Sequence, residues 1–293
     1  MMFIPLRKSS SGFKRFIFHR SQAGKSFRTY FEGKKINWKD GVRANLMTSR
    51  FRGDLPRQDK VGENTLLAFS EAPRFNHWLY RKIEPYVGNR ILEIGAGIGN
   101  LTGCIHAEKI IATDYSDVYL NVLRGKFAST AQITIDRFDL SDDDPSRFSS
   151  EKIDTVICLN VLEHVKDDDA GVRLINDVLI PGGRLLLLVP YSQALYCDYD
   201  KQLGHYRRYN RTNVHDVVSR NGFTVERMFL FNLFGGIGWY VTGKIFHESH
   251  LNPGSIRAFE RFVPLFQRIE FFGAPFGASV ICIARKDAVP TTL

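Results

Sequence analysis

From Thr65 the chain places apolar residues at helical spacing: Leu66, Leu67 and Phe69, then Phe75, Trp78, Leu79 and Ile83, until Pro85 and Gly88 stop the pattern. Residues 1–60 show no sustained helical or strand period. This contrast predicts an N-terminal arm over 1–60 and a folded domain over 61–293. Beyond Gly88, short apolar runs alternate with amphipathic segments. In order they are "RILEI", a helix from about Asn100, "KIIAT", a helix over Ser116 to Phe127, "QITIDRF", "IDTVICL", a helix through "DDAGVRLINDVLI", and "GRLLLLV". Strands alternating with helices of this length predict a parallel sheet covered on both faces, the doubly wound α/β class.

After Pro190 the pattern breaks into "YSQALYCDYDKQLGHYRRYN", which is too long and too rich in Tyr, His and Arg to be a plain connection and reads as an active-site loop. A helix from Arg211 to Asn221 and the strand "FTVERMFLF" follow. A helical and aromatic insertion at about 232–275 then precedes a last strand, "ASVICIAR". In the insertion Gly235, Gly236 and Gly238 mix with Trp239, Tyr240 and Phe246, and Phe259, Phe262, Val263, Phe266 and Ile269 form an amphipathic helix. It is either packing over the open end of the sheet or an apolar lid or membrane-surface face.

Composition adds a charge asymmetry. The chain of 293 residues carries a formal +9. Met1 to Arg57 hold 14 Lys and Arg against Glu32, Asp40 and Asp54, which is +11 and leaves −2 for the rest. A nearly neutral body bears a basic arm. Four readings of the arm stay open: a solvated segment that packs on the body or caps its site, an anionic-membrane contact using Phe13, Phe16, Ile17 and Phe18, a transit-like segment, or an RNA-binding arm. Cys104, Cys158, Cys197 and Cys282 lie far apart with no zinc spacing, so a reduced compartment and no metal are expected. No apolar run reaches membrane-spanning length and no secretory signal pattern opens the chain, so the expected location is cytoplasmic, with peripheral membrane contact left open.

The chemistry starts at "ILEIGAGIGNLT", residues 91–102. A glycine loop between strand and helix allows close backbone approach to a ligand. Gly95, Gly97 and Gly99 give G-x-G-x-G, not the G-x-G-x-x-G of dehydrogenases, and no Walker lysine follows. With Glu93 two residues before Gly95, the pattern resembles the first motif of the class I S-adenosylmethionine-dependent methyltransferases. Asp114 lies 19 residues after Gly95, where an acid accepts hydrogen bonds from ribose hydroxyls. In that family Asp139 in "RFDLSD" matches the adenine-contacting acid, although it could also be a turn cap. "ICLNVLEHVKD" resembles the segment after the fourth strand in the small-molecule branch and departs from the base-amine motif of nucleic-acid enzymes. "LGHYRRYN" resembles a narrower bacterial group.

The resemblance implies a Rossmann-like seven-stranded sheet, mostly parallel with an antiparallel last strand, and S-adenosylmethionine as cofactor. It assigns cofactor binding to Glu93, Gly95, Ala96, Gly97, Gly99, Asp114, Tyr115, Asp139, Leu140 and Asn160. Methyl transfer from a sulfonium is an in-line displacement, and a hydroxyl or acidic N–H acceptor needs a base, for which histidine suits neutral pH. His205, just beyond the fifth strand at the carboxyl end of the sheet, is the expected base. His164 reads as a packing residue, with a catalytic role as the alternative. Tyr206 and Tyr209 are expected to orient the acceptor or shield the sulfonium. Arg207 and Arg208 are expected to grip an anionic handle, or to ion-pair with Asp198 or Asp200. Tyr191 and Trp239 would make the pocket aromatic. The expected acceptor is therefore small or lipid-linked, aromatic or apolar. An RNA methyltransferase recruited by the arm and a non-catalytic cofactor-binding protein are the alternatives.

Overall fold

The computed structural model describes residues 57–246, 253–270 and 273–288, together with three strands nearer the N-terminus, β1 (Phe18–His19), β2 (Arg28–Phe31) and β3 (Lys34–Asn37). The chain divides into two units, Met1–Asp54 and Leu55–Leu293. In the first, β1 pairs with β2 and β2 with β3, all antiparallel. Strands of two to four residues are too short to show a period in the sequence. The membrane, transit and RNA readings of the arm rest largely on stretches that lie outside the described residues.

The second unit contains a seven-stranded sheet of β4 (Arg90–Ile94), β5 (Lys109–Asp114), β6 (Ile133–Arg137), β7 (Ile153–Leu159), β8 (Leu179–Pro190), β9 (Phe223–Phe231) and β10 (Ser279–Lys286). Their spatial order is β6-β5-β4-β7-β8-β10-β9. The pairs from β6 to β8 are parallel, and β10 runs antiparallel to both β8 and β9. The expected mostly parallel sheet with an antiparallel last strand is what forms. Eight described helices accompany it: α1 (Arg57–Ser70), α2 (Pro73–Ile83), α3 (Asp117–Phe127), α4 (Asp168–Val178), α5 (Asp198–Leu203), α6 (Arg211–Ser219), α7 (Leu233–Tyr240) and α8 (Pro253–Ile269).

Alternation along each strand sends side chains to two cores. Leu92, Val156, Leu185 and Leu187 pack with Val172 and Ile175 of α4 on one face. Ile91, Ile110, Ile157 and Leu186 pack with Trp78, Leu79 and Ile83 of α2 on the other. Burial on both faces explains why these strands read as continuous apolar runs.

Two expectations need correction. The helix predicted from about Asn100 is replaced by turns and a single 3₁₀ turn over Thr102–Cys104. Gly99 at φ +72° and Gly103 leave too short a segment before Lys109 for helical hydrogen bonds to propagate. The helix expected through Ile180 ends at Val178, because Leu179 pairs with Ile153 and begins β8.

In the insertion, α7 and α8 are joined in space by the stacked rings of Phe234 and Phe266, 4.1 Å apart. Two acids among the described residues of this region bond backbone groups. Glu260 accepts from the backbone N–H groups of Arg74 and Phe75 at 2.7 and 3.1 Å. Glu270 accepts from those of Asn232 and Leu233 at 3.0 and 2.6 Å. Phe262, Leu265 and Ile269 stay exposed on the outer face of α8. Among the described residues no helix is long and apolar enough to cross a membrane.

Candidate active site

Strand β4 ends at Ile94, and the next residues turn sharply because Gly95, Gly97 and Gly99 adopt φ of +72°, +56° and +72°. Space is as restrictive as the dihedrals. A Cβ on Gly95 would lie 2.3 Å from Cγ2 of Val161, one on Gly97 3.0 Å from both methyls of Leu66, and one on Gly99 2.6 Å from the Phe127 ring. The loop is thus wedged between α1, α3 and the turn after β7. Its glycines are required by protein packing as well as by any ligand.

Two charged residues, Asp114 and Lys126, hold the loop, and a third, Glu93, is buried beside it. Asp114, at the end of β5, accepts from Gly97 N–H at 2.9 Å through one oxygen and from Ser116 N–H at 2.9 Å through the other. Lys126 of α3 donates to the carbonyls of Ile98 and Gly99 at 3.1 and 2.7 Å. Its burial pulls the ammonium down to about 8, against the opposing pull of Glu93 and Cys104. Glu93 is buried beneath the loop, and its Oε2 has no hydrogen-bond partner. Burial raises its carboxyl to about 7, although the Thr102 hydroxyl and Lys126 favour the charged form.

A folded-state carboxyl held above its unfolded value contributes stability that is fully present below about pH 4.5 and is lost as pH rises toward 7. Glu93→Gln removes this loss. Its melting temperature relative to the natural protein is expected to climb between pH 4.5 and 7 and then level, with a full span of about 3 kcal/mol at most. A flat difference across a pH series of thermal melts would refute the assignment.

The other expected cofactor residues fall at the carboxyl ends of the parallel strands. Ala96 donates its N–H to Thr113 O at 2.8 Å. Tyr115 is 56% exposed beside Asp114. Asn160 has a left-handed backbone, φ +55°, and an exposed side chain just past β7. Asp139 is half-buried and organises a turn, accepting from Ser141 N–H at 2.9 Å. The Leu140 side chain belongs to the core beside Gly171, so only its backbone is available to a ligand.

His205 lies in the expected loop, and buried acids fix it. Its Nδ1 is 2.8 Å from Oδ1 of Asp200, which is fully buried and also accepts from Arg208 Nε at 2.9 Å. The same carboxylate accepts from Cys197 N–H at 2.9 Å through Oδ2. Its proton is held below the usual carboxylate range by His205 and Arg208, which outweigh the opposing effect of burial. The other ring nitrogen, Nε2, lies 4.0 Å from Oε1 of Glu163. Glu163 is 0% exposed, and neither oxygen has a partner. The His164 ring meets His205 edge to face at 4.7 Å. Donor atoms of Glu163, His164 and His205 all lie within 4.8 Å of one another, close enough for one small ion to engage all three.

The neighbouring expectations divide. Tyr206 is 56% exposed and open to an acceptor. Tyr209 is not: it is 2% exposed, its hydroxyl bonds Asp168 at 2.9 Å, and burial raises its pKa. Arg207 is held by the carbonyls of Val165 and Lys166 and by Asp168 at 3.1 Å. Arg208 is 6% exposed, pairs with Asp200 and lies 4.6 Å over the Trp239 ring. Both guanidinium groups are engaged by the protein: Arg208 takes the ion-pair alternative with Asp200, and Arg207 pairs with Asp168, a partner the sequence reading did not name. Tyr191 packs on Phe276 at 6.1 Å, and Trp239 donates to Leu195 O at 3.3 Å.

Sequence reasoning missed Lys126, Glu163 and Asp200 in these roles. Asp200 was visible only as one possible partner of an arginine. Lys126 carried no signal, since a lysine in the last turn of an amphipathic helix is ordinary.

Residues 92–185 match the family model described as a methyltransferase domain. Over 126 residues the chain is 28% identical to the demethylmenaquinone methyltransferase of Clavibacter sepedonicus, covering 42% of this chain and 50% of that protein. Over 121 residues it is 31% identical to the ubiquinone/menaquinone biosynthesis C-methyltransferase UbiE of Idiomarina loihiensis, covering 39% of this chain and 48% of that protein. The chain spans about half the length of these curated relatives. Among solved structures, phosphoethanolamine N-methyltransferase 2 of Haemonchus contortus, bound to S-adenosyl-L-methionine, has a TM-score of 0.51 at 18% identity, over 80% of this chain and 61% of that one. That likeness is one of fold. Residues 92–185 are thus a methyltransferase domain, and the strand order and glycine loop above agree with a Rossmann-like methyltransferase fold that takes S-adenosylmethionine.

Proposed function

We propose that the protein transfers a methyl group from S-adenosylmethionine to a small-molecule or lipid-linked acceptor that is apolar and ring-bearing. The observation that carries this reading is a juxtaposition. Val161 packs on Gly95, Glu163 follows two residues later, and His205 lies 4.0 Å from Glu163, so the cofactor loop and a fixed histidine share one end of the sheet. Asp114, Tyr115, Asp139 and Asn160 would hold the cofactor, which supplies an electrophilic methyl on a sulfonium. An electron pair of the acceptor, on a heteroatom or in an electron-rich ring, forms the new bond to the methyl carbon as the carbon–sulfur bond breaks, leaving the electron pair on sulfur. Asp200 fixes the His205 ring, the side chain through which the acceptor loses its proton. Exposed Tyr206 borders the acceptor, and the turn after β7 aligns it with the loop.

The names of the two quinone-pathway relatives make demethylated quinones the first acceptors to try. A lipid-linked acceptor would be met at an anionic membrane surface, where exposed Phe262 and Leu265 face outward among Arg257, Arg261 and Arg268. The test is transfer of labelled methyl from S-adenosylmethionine to demethylmenaquinone reduced beforehand to its quinol in anionic vesicles, and to soluble phenols. Label in the acceptor, with one S-adenosylhomocysteine formed per methyl, is the expected result. Label in no ring acceptor despite cofactor binding would overturn the acceptor class, whereas absent cofactor binding would overturn the reaction.

A further inference from the structure

We infer that Glu163, His164 and His205 bind a divalent transition-metal ion at the acceptor end of the sheet. An unpartnered, fully buried carboxylate is costly, and both oxygens of Glu163 are in that state. Arg208 does not meet it, because its guanidinium is directed to Asp200 and the Trp239 ring, and the nearest cationic candidate is His205 itself, 4.0 Å away and already bonded to Asp200. Around Glu163 stand two imidazole donors. His205 donates its Nδ1–H to Asp200, so that in the neutral ring the Nε2 lone pair lies on the side of Glu163. A carboxylate behind a histidine, fixing its tautomer and raising its basicity, is the usual support of a metal-ligating imidazole.

The backbone assembles the donors in advance. Glu163 and His164 share the 3₁₀ turn Leu162–His164, and Tyr206 N–H donates to Glu163 O at 2.9 Å, tying the His205 loop to that turn. Metal–ligand bonds of about 2.0–2.2 Å set donors about 3–3.5 Å apart, so rotations of roughly an ångström close the present spacing. Two nitrogens and one carboxylate oxygen suit zinc, cobalt or iron better than magnesium or calcium, and three protein ligands leave a position open. On the reading above, on which its catalytic role rests, that position would take an acceptor oxygen and lower its pKa. His205 would then act by holding the ion in place of taking the proton at Nε2, and the acceptor's proton would leave to solvent.

Binding is testable without cofactor or acceptor. The full chain, stripped with chelator and freed of any affinity tag, is titrated with Co²⁺ by visible absorption, and Zn²⁺ is then added in competition. One equivalent per chain with ligand-field bands that Zn²⁺ abolishes is expected. His164→Ala, which removes an exposed side chain, and Glu163→Gln should each weaken binding by about tenfold to a hundredfold. His215→Ala, at an exposed histidine elsewhere on α6, should leave it unchanged. If the natural protein takes up no stoichiometric metal, or His164→Ala binds as tightly, the inference is wrong. Metal binding without methyl transfer would leave the site standing and overturn the role given to it.

Discussion

Replacing His205 with alanine is expected to lower methyl transfer by about two to four orders of magnitude while leaving S-adenosylhomocysteine affinity within about threefold. The split follows from the geometry. The His205 side chain contacts Asp200 and His164 and approaches Glu163, with no hydrogen bond to the glycine loop, Asp114 or Asn160. Asp200→Asn should give a smaller loss, about tenfold to a hundredfold, because the amide still fills the space but presents the wrong group to Nδ1 and leaves Arg208 without its charge partner. Single-turnover transfer and calorimetric titration of S-adenosylhomocysteine separate the two effects. If His205→Ala loses cofactor affinity in proportion to rate, the histidine is structural. If neither changes, acceptor activation lies elsewhere.

The second large effect is at the loop. Gly95→Ala should reduce S-adenosylhomocysteine affinity at least about a hundredfold and destabilise the fold by about 2–4 kcal/mol. Two separate penalties combine. An alanine at φ +72° costs about 1 kcal/mol from backbone strain alone, and its methyl would sit 2.3 Å from Val161 Cγ2. The double variant Gly95→Ala, Val161→Ala tests this division. It relieves the overlap but not the strain, so thermal stability and binding should return in part and not fully. Full recovery would mean that the left-handed turn is not needed. No recovery would mean that Val161 is not what confines residue 95.

Much of the fold was legible because its strands are buried on both faces. "IDTVICL" matches β7 residue for residue, since a mostly apolar, buried run bounded by turn residues has few other solutions, and "FTVERMFLF" matches the edge strand β9, marked off by Gly222 and Asn232. Local reading failed where the chain path overrides preference. The segment after Gly99 has helix-compatible residues but no room for a helix, and residues 1–60 contain strands too short to repeat a pattern. In the site, glycine spacing and the acid ending β5 were readable because a ligand loop needs those residues at fixed offsets.

What the chemistry rests on beyond that could not be read. Glu163 and His205 are 42 residues apart, and nothing in "NVLEHV" or "LGHYRRY" says that these stretches touch. Arg207, Arg208 and Tyr209 looked like substrate groups because their residue types suit that role. The fold instead turns them onto Asp168, Asp200 and backbone carbonyls. The sequence by itself determined the layers of the sheet and the cofactor loop, because these depend on local periodicity and conformational allowance. Only the tertiary structure decided which charges face each other across the closed loop. A buried charge takes whichever partner the packing brings within reach, and that choice is a property of the whole chain path.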